Sequence, residues 1–139
     1  MQAILFRLGR RALMSMLKLV NQLPVRVHMA AAAEAAALLQ ALDLPTGQSA
    51  AVLNSGWADS VMLERGLAQL AAGKVRDTGV TIGGMTEVQA LIDDVLCGSG
   101  VDAQVFTAAR RRFDGAASAG TALDDPAALR QLMAAGGTE

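Results

Sequence analysis

The chain has 139 residues, enough for one domain with its own core and too few for two domains of ordinary size. Apolar residues make up 53%, many of them alanine, and aromatics only 3%, which favours closely packed helices over a sheet rich in Val, Ile, Tyr and Phe. A formal net charge of -1 gives no general affinity for nucleic acid, while a single cysteine (Cys97) excludes an internal disulfide and a zinc cluster, and a single histidine (His28) a histidine-based metal site.

Residues 1–10 (MQAILFRLGR) read as a lead-in or the remnant of an interdomain connection, in which Ala3 to Phe6 are the end of a lost strand or a frayed start. Arg7, Arg10, Arg11, Lys18 and Arg26 interrupt the apolar residues of the N-terminal third, so no membrane partner is expected and the expected location is cytoplasmic. The first acidic residue is Glu34, and an Arg-rich, acid-free start also fits a targeting peptide.

From Arg11 to Leu44 the spacing predicts the longest helix of the chain, the first element of a helical domain over residues 11–139. Leu13, Met16, Leu17, Val20 and Val27 recur at three- and four-residue intervals, the pattern of a buried face. Arg11, Ser15, Lys18, Gln22 and Arg26 follow at the same spacing as a polar stripe, which sets Lys18 and Gln22 one turn apart with Asn21 beside them. Pro24 predicts a kink near Val20 to Leu23, or two helices, because a proline inside a helix costs about 3 kcal/mol. From Met29 the run AAAAEAAA combines high helix propensity with little bulk, so a second helix can approach closely.

Beyond Pro45, Thr46 caps a short helix through about Leu53, and Asp59 or Ser60 caps the next, which Gly73 closes. Trp57 is expected to cover the end of the bundle. Lys74 to Met85 is the least regular stretch, with Gly83-Gly84 as a flexible turn, and Thr86 with Gln89 forms a capping box for a helix whose Val88, Leu91, Ile92, Val95 and Leu96 turn inward. Cys97 is expected to pack and His28 to be partly buried. Asp102 caps a helix through about Ala119 with Val105, Phe106, Ala109 and Phe113 on one face, where Arg110 to Arg112 form a solvated surface. Asp125-Pro126 starts the last helix, and Ala128, Leu129, Leu132 and Met133 pack inward. The expected fold class is all-α, one domain of five to seven helices.

The run KLVNQ (Lys18 to Gln22), the alanine-rich helix with its glutamate and Asp43-Leu44-Pro45 resemble the start of the helical C-terminal domain of the 3-hydroxyisobutyrate dehydrogenase family. The resemblance continues through Ser60 to Gly73 and Ala116 to Leu132. It implies an NAD- or NADP-dependent 3-hydroxyacid dehydrogenase with Lys18 as catalytic residue and Asn21 and Gln22 in the substrate site. The sequence departs from the family at functional points. Only seventeen residues precede Lys18, where the family has a Gly-rich nucleotide-binding domain. The last two glycines of the family's turn fall on Ala12 and Met14, leaving Gly9, and Thr86 stands where the family starts a helix with a second lysine.

The chemistry asked of such a lysine is to take the hydroxyl proton while hydride leaves the neighbouring carbon, which a partly dry cleft permits by disfavouring its charged form. A carboxamide one turn away can hold the substrate without adding charge. Lysine and glutamine at this spacing are also commonplace on solvated helix faces. Three classes of function follow: half of a dehydrogenase completed by a separate nucleotide-binding domain or left as a remnant; a non-catalytic helical module that forms a homo-oligomer; and a targeted or membrane-surface protein using its basic start.

Overall fold

The computed structural model describes residues 9–73 and 79–135, and these are all-α with no strand among them. Six α-helices follow in order: α1 Gly9–Ala41, α2 Thr46–Asn54, α3 Val61–Ala71, α4 Ile82–Ser99, α5 Gln104–Ala116 and α6 Leu129–Ala135. A π-turn (Ala117–Thr121) continues α5, and a 3-10 turn (Pro126–Ala128) leads into α6.

Helix α1 is the axis of the domain. It runs through Pro24 as one 33-residue helix, so the two-helix alternative is not what forms. From Arg26 onward it buries its alanines on two sides. Ala32 and Ala36, with Leu39, meet Leu63, Leu67 and Leu70 of α3. Ala33 meets Ile82 and Met85 of α4, Phe113 and Ala116 of α5, and Leu129 of α6. Small side chains allow both approaches at once: a methyl built on Gly66 of α3 would lie 3.5 Å from the Ala32 methyl, ordinary contact.

The N-terminal half of α1 departs from expectation. No residue between Ala12 and Val25 is buried, and Leu13, Leu17 and Val20 of the predicted inner face are 49%, 51% and 60% exposed. Met16 and Val27 are half-buried. Periodicity identified an apolar face; it could not say that full burial along α1 begins only at Arg26. At that residue the polar stripe enters the core, since Arg26 is 1% exposed.

Several helix starts differ from those read in the sequence. Thr46 is the first residue of α2 rather than its cap, a place taken by extended Pro45 with no side-chain bond. Ser60, not Asp59, caps α3, its Oγ accepting from Leu63 N–H at 3.1 Å, and Gly73 closes it at φ +64. Helix α4 begins at Ile82, four residues before Thr86. Thr81 is its cap, accepting from Gly84 N–H at 3.0 Å, so Gly83-Gly84 form its first turn and Thr86 donates back to the Gly83 carbonyl at 2.7 Å. The early start is supported from outside the helix. Ile82 and Gly83 donate to the carbonyls of Asp124 and Ala122 at 2.9 and 2.8 Å, which satisfies amides that a helix leaves unpaired at its first turn. Local pattern cannot reveal acceptors forty residues away, and the nearer Thr-x-x-Gln won the sequence reading.

Inside α4, Ile92 is buried and Val88, Val95 and Leu96 half-buried as expected; Leu91 is exposed, and Gln89, read as part of a capping box, is buried. Helix α5 has Ala103 as its cap with no side-chain bond, and Asp102 instead accepts from the Gln104 side chain at 2.7 Å. Phe106, Ala109 and Phe113 are buried but Val105 is exposed, and the helix ends at Ala116 rather than Ala119. Asp125 does cap the last segment, accepting from Ala127 N–H at 2.9 Å with Pro126 next to it. Trp57 is fully exposed in the turn between α2 and α3, where no element rises to meet it. Cys97 and His28, read as packed and partly buried, are both exposed. Residues 1–8, 74–78 and 136–139, including the Ala3 to Phe6 patch and the first five residues of the irregular stretch, lie outside the described residues.

Candidate functional site

Lys18, Asn21 and Gln22 stand on the stretch of α1 that precedes the core. Lys18 and Asn21 are exposed and Gln22 is half-buried. The four-residue step from Lys18 to Gln22 puts them on one face about 5–6 Å apart at Cβ, and a further four residues reach Arg26, which sequence reading placed in the solvated stripe.

Arg26 is instead the fixed point of the site. Its Nη1 donates to the Gln22 side-chain oxygen at 2.8 Å and to the Gln22 carbonyl at 3.0 Å, and its Nη2 donates to the Met85 carbonyl of α4 at 3.0 Å. Burial holds its pKa below the ordinary value, by desolvation of the charged form. Only the oxygen of an amide can accept from a guanidinium, so this bond orients the Gln22 side chain and leaves its NH2 to donate elsewhere. A donor held in this way suits an acceptor such as a carboxylate. The sequence signal that could have separated Arg26 from the stripe is its position just before the alanine run that becomes the core.

Beside these residues the face formed by Leu13, Met14, Leu17 and Val20 is open, each 49–60% exposed. Ala12 and Met14 sit on a continuous helix where the resemblance places glycines, and Thr86 bonds back into the first turn of α4.

Other candidates resolve into structure. Arg110 pairs with Asp93 and Asp114, and Arg112 with Glu34 at 3.2 Å, exposed ion pairs of the kind worth about 1 kcal/mol or less. Among the described residues there is no cluster of metal-ligating side chains, and no helix is long and apolar enough to cross a membrane.

Comparison with known proteins bears on residues 15–133, which match the family described as NAD-binding of NADP-dependent 3-hydroxyisobutyrate dehydrogenase. No curated protein sequence matches. Among solved structures, the fold is similar to 3-hydroxyisobutyrate dehydrogenase from Salmonella typhimurium, with a TM-score of 0.78 and 24% identity. It is also similar to Psf3 in complex with NADP+ and 2-OPP, with a TM-score of 0.74 and 21% identity. In each case 85% of this chain is covered, and the chain spans 41% of the other protein.

Proposed function

The chain belongs to this 3-hydroxyisobutyrate dehydrogenase family, and from that premise we propose that residues 11–139 serve as the C-terminal substrate and dimerisation domain of an NAD(P)-dependent 3-hydroxyacid dehydrogenase. Residues 1–10 act as the lead-in from a nucleotide-binding unit, and the assembly works in the cytoplasm. The observation that carries this reading is the open half of α1: Lys18, Asn21 and Gln22 are presented beside Leu13, Leu17 and Val20 with nothing of the described chain over them. Such a face is complementary to a second body rather than to water.

In this role Lys18 Nζ takes the hydroxyl proton of the 3-hydroxyacid. The Gln22 NH2, steadied by Arg26, donates to the substrate, and Asn21 adds a further donor and acceptor. A lysine accepts a proton only where burial disfavours its charged form, so the dry environment has to come from the unit that covers α1. The hydride acceptor, NAD or NADP, belongs to that unit. On its own the chain is expected neither to bind nicotinamide cofactor tightly nor to oxidise 3-hydroxyacids.

Mixing the chain with a nucleotide-binding domain and following NAD(P)H formation from 3-hydroxyacids tests the reading. Activity should appear on mixing and fall by about 10²–10⁴-fold in Lys18→Ala, the range of a lost acid/base. Micromolar NADH or NADPH binding by the chain alone, or activity indifferent to Lys18→Ala, would count against it. The open apolar face supports a second reading, a non-catalytic module that self-associates through α1. A stable homodimer that stays inactive with every nucleotide-binding partner would favour it.

A further inference from the structure

A second polar site lies away from Lys18, where α1, α3 and the start of α6 meet. Arg65, Gln69 and Arg130 line a cavity of about 50 Å³ there, with Met29, Ala33 and Met62 among its apolar walls. Arg130 is only 6% exposed, and its Nη1 is enclosed with no hydrogen-bond partner. The side-chain oxygen of Gln69 is likewise enclosed and unpartnered. Asp125 is at the same cavity, its Oδ1 already accepting from Ala127 N–H.

A buried guanidinium with an unmet donor is costly unless an acceptor, and preferably an anion, meets it. Around this cavity two arginines and one aspartate leave one positive charge, which a monoanion balances. Half a turn of the Gln69 amide about its last bond would replace its unpartnered oxygen by the NH2, a donor to the same anion. The methyl and thioether part of the lining suits an alkyl end rather than a second charged group. We propose that this cavity is a binding site for a short aliphatic monocarboxylate, its carboxylate on Arg130 and Gln69 and its alkyl end against Met29 and Met62. The site is independent of the proposed dehydrogenase role, because Lys18 and Gln22 take no part in it.

The test is a titration of the full chain with propionate, following backbone amide shifts by NMR at constant ionic strength, with propionamide and inorganic phosphate as parallel arms. Propionate should give saturable shifts centred on Ala33 and Gly66, and propionamide should bind at least about tenfold more weakly because it lacks the charge. Arg130→Met should abolish saturation. Because that residue is buried, Gln69→Leu serves as a second variant: it should keep the helical circular dichroism and weaken propionate severalfold. Lys18→Ala should leave the titration unchanged, which separates this site from the dehydrogenase reading. Absence of saturable shifts would mean that water alone fills the cavity and would overturn the proposal. So would equal binding of propionamide, preference for phosphate, or unaltered affinity in Gln69→Leu.

Discussion

Replacing Arg26 separates packing from hydrogen bonding at a charged residue that α1 carries into the core. Arg26→Met removes three side-chain bonds, to the Gln22 side chain, the Gln22 carbonyl and the Met85 carbonyl. Neither carbonyl is orphaned, because each lies inside an α-helix and keeps its bond from the amide four residues on. The charge-assisted bonds that disappear are worth about 1.5–3 kcal/mol. Against this stands the desolvation of the guanidinium, the same burial that lowers its pKa, and an Nε that is enclosed without a partner. These nearly offset, so Arg26→Met should unfold within about 1 kcal/mol of the parent. Arg26→Ala gives up the same bonds and leaves the space of a long side chain at a 1% exposed position, so it should cost about 2–4 kcal/mol. Urea unfolding followed by far-UV circular dichroism reads both. If the methionine variant loses as much as the alanine variant, the polar bonds rather than the packing hold α1 on α4, and the reasoning fails. The sign of the pH dependence also follows. With the folded pKa depressed, the unfolded chain binds this proton more tightly, so stability rises with pH only in the strongly basic range between the folded and unfolded values; near neutrality both states hold the proton and Arg26 gives no pH dependence.

Gly83→Ala should destabilise by about 1–2 kcal/mol, since its methyl would come within 3.0 Å of the Ala122 carbonyl that Gly83 N–H already bonds, whereas Gly66→Ala should stabilise by about 0.5–1 kcal/mol because its methyl meets only Ala32 at 3.5 Å inside a helix; thermal unfolding of the pair gives the contrast. Trp57 should show the quenching by acrylamide of a fully hydrated indole, and a protected indole would contradict its place in the α2–α3 turn. Leu17→Glu with Val20→Lys should shift sedimentation toward monomer and reduce apolar dye binding, with little loss of stability because both positions are more than half exposed. A monomeric parent would leave the open face without a second copy to bury it.

The parts of the fold legible in the sequence are those whose cause is local. The alanine run predicted a close helix–helix seam, and Ala32, Ala33 and Ala36 provide it on two sides of α1. Ser60, Gly73 and Asp125 end or start helices through bonds and backbone angles that span a few residues, so their chemistry can be read from the letters alone. The start of α4 could not be read in this way. Its first amides are satisfied by carbonyls of Ala122 and Asp124, so the helix gains a turn that Thr86 and Gln89 do not indicate. Trp57, Val105 and Leu91 failed for the opposite reason: apolar character was taken as burial, and each lies on a side of its helix or turn that no neighbour covers.

The same distinction governs the candidate site. Helical spacing was enough to align Lys18, Gln22 and Arg26, but spacing treats the three alike, and the structure grades them from exposed through half-buried to buried within two turns. That gradient follows from where α1 leaves the other helices. An arginine at the last covered position can bond across to Met85 while its other arm steadies a glutamine one turn further out. Lysine there could not do both, because it lacks the planar fork that lets one side chain address two helices at fixed angles. Gln22 therefore owes its orientation to the core, and Lys18, one turn beyond, is left to be oriented by whatever docks on Leu13, Leu17 and Val20. A partner that covers this face would organise and desolvate Lys18 in one event, so association and proton transfer should be gained or lost together when the apolar face is altered.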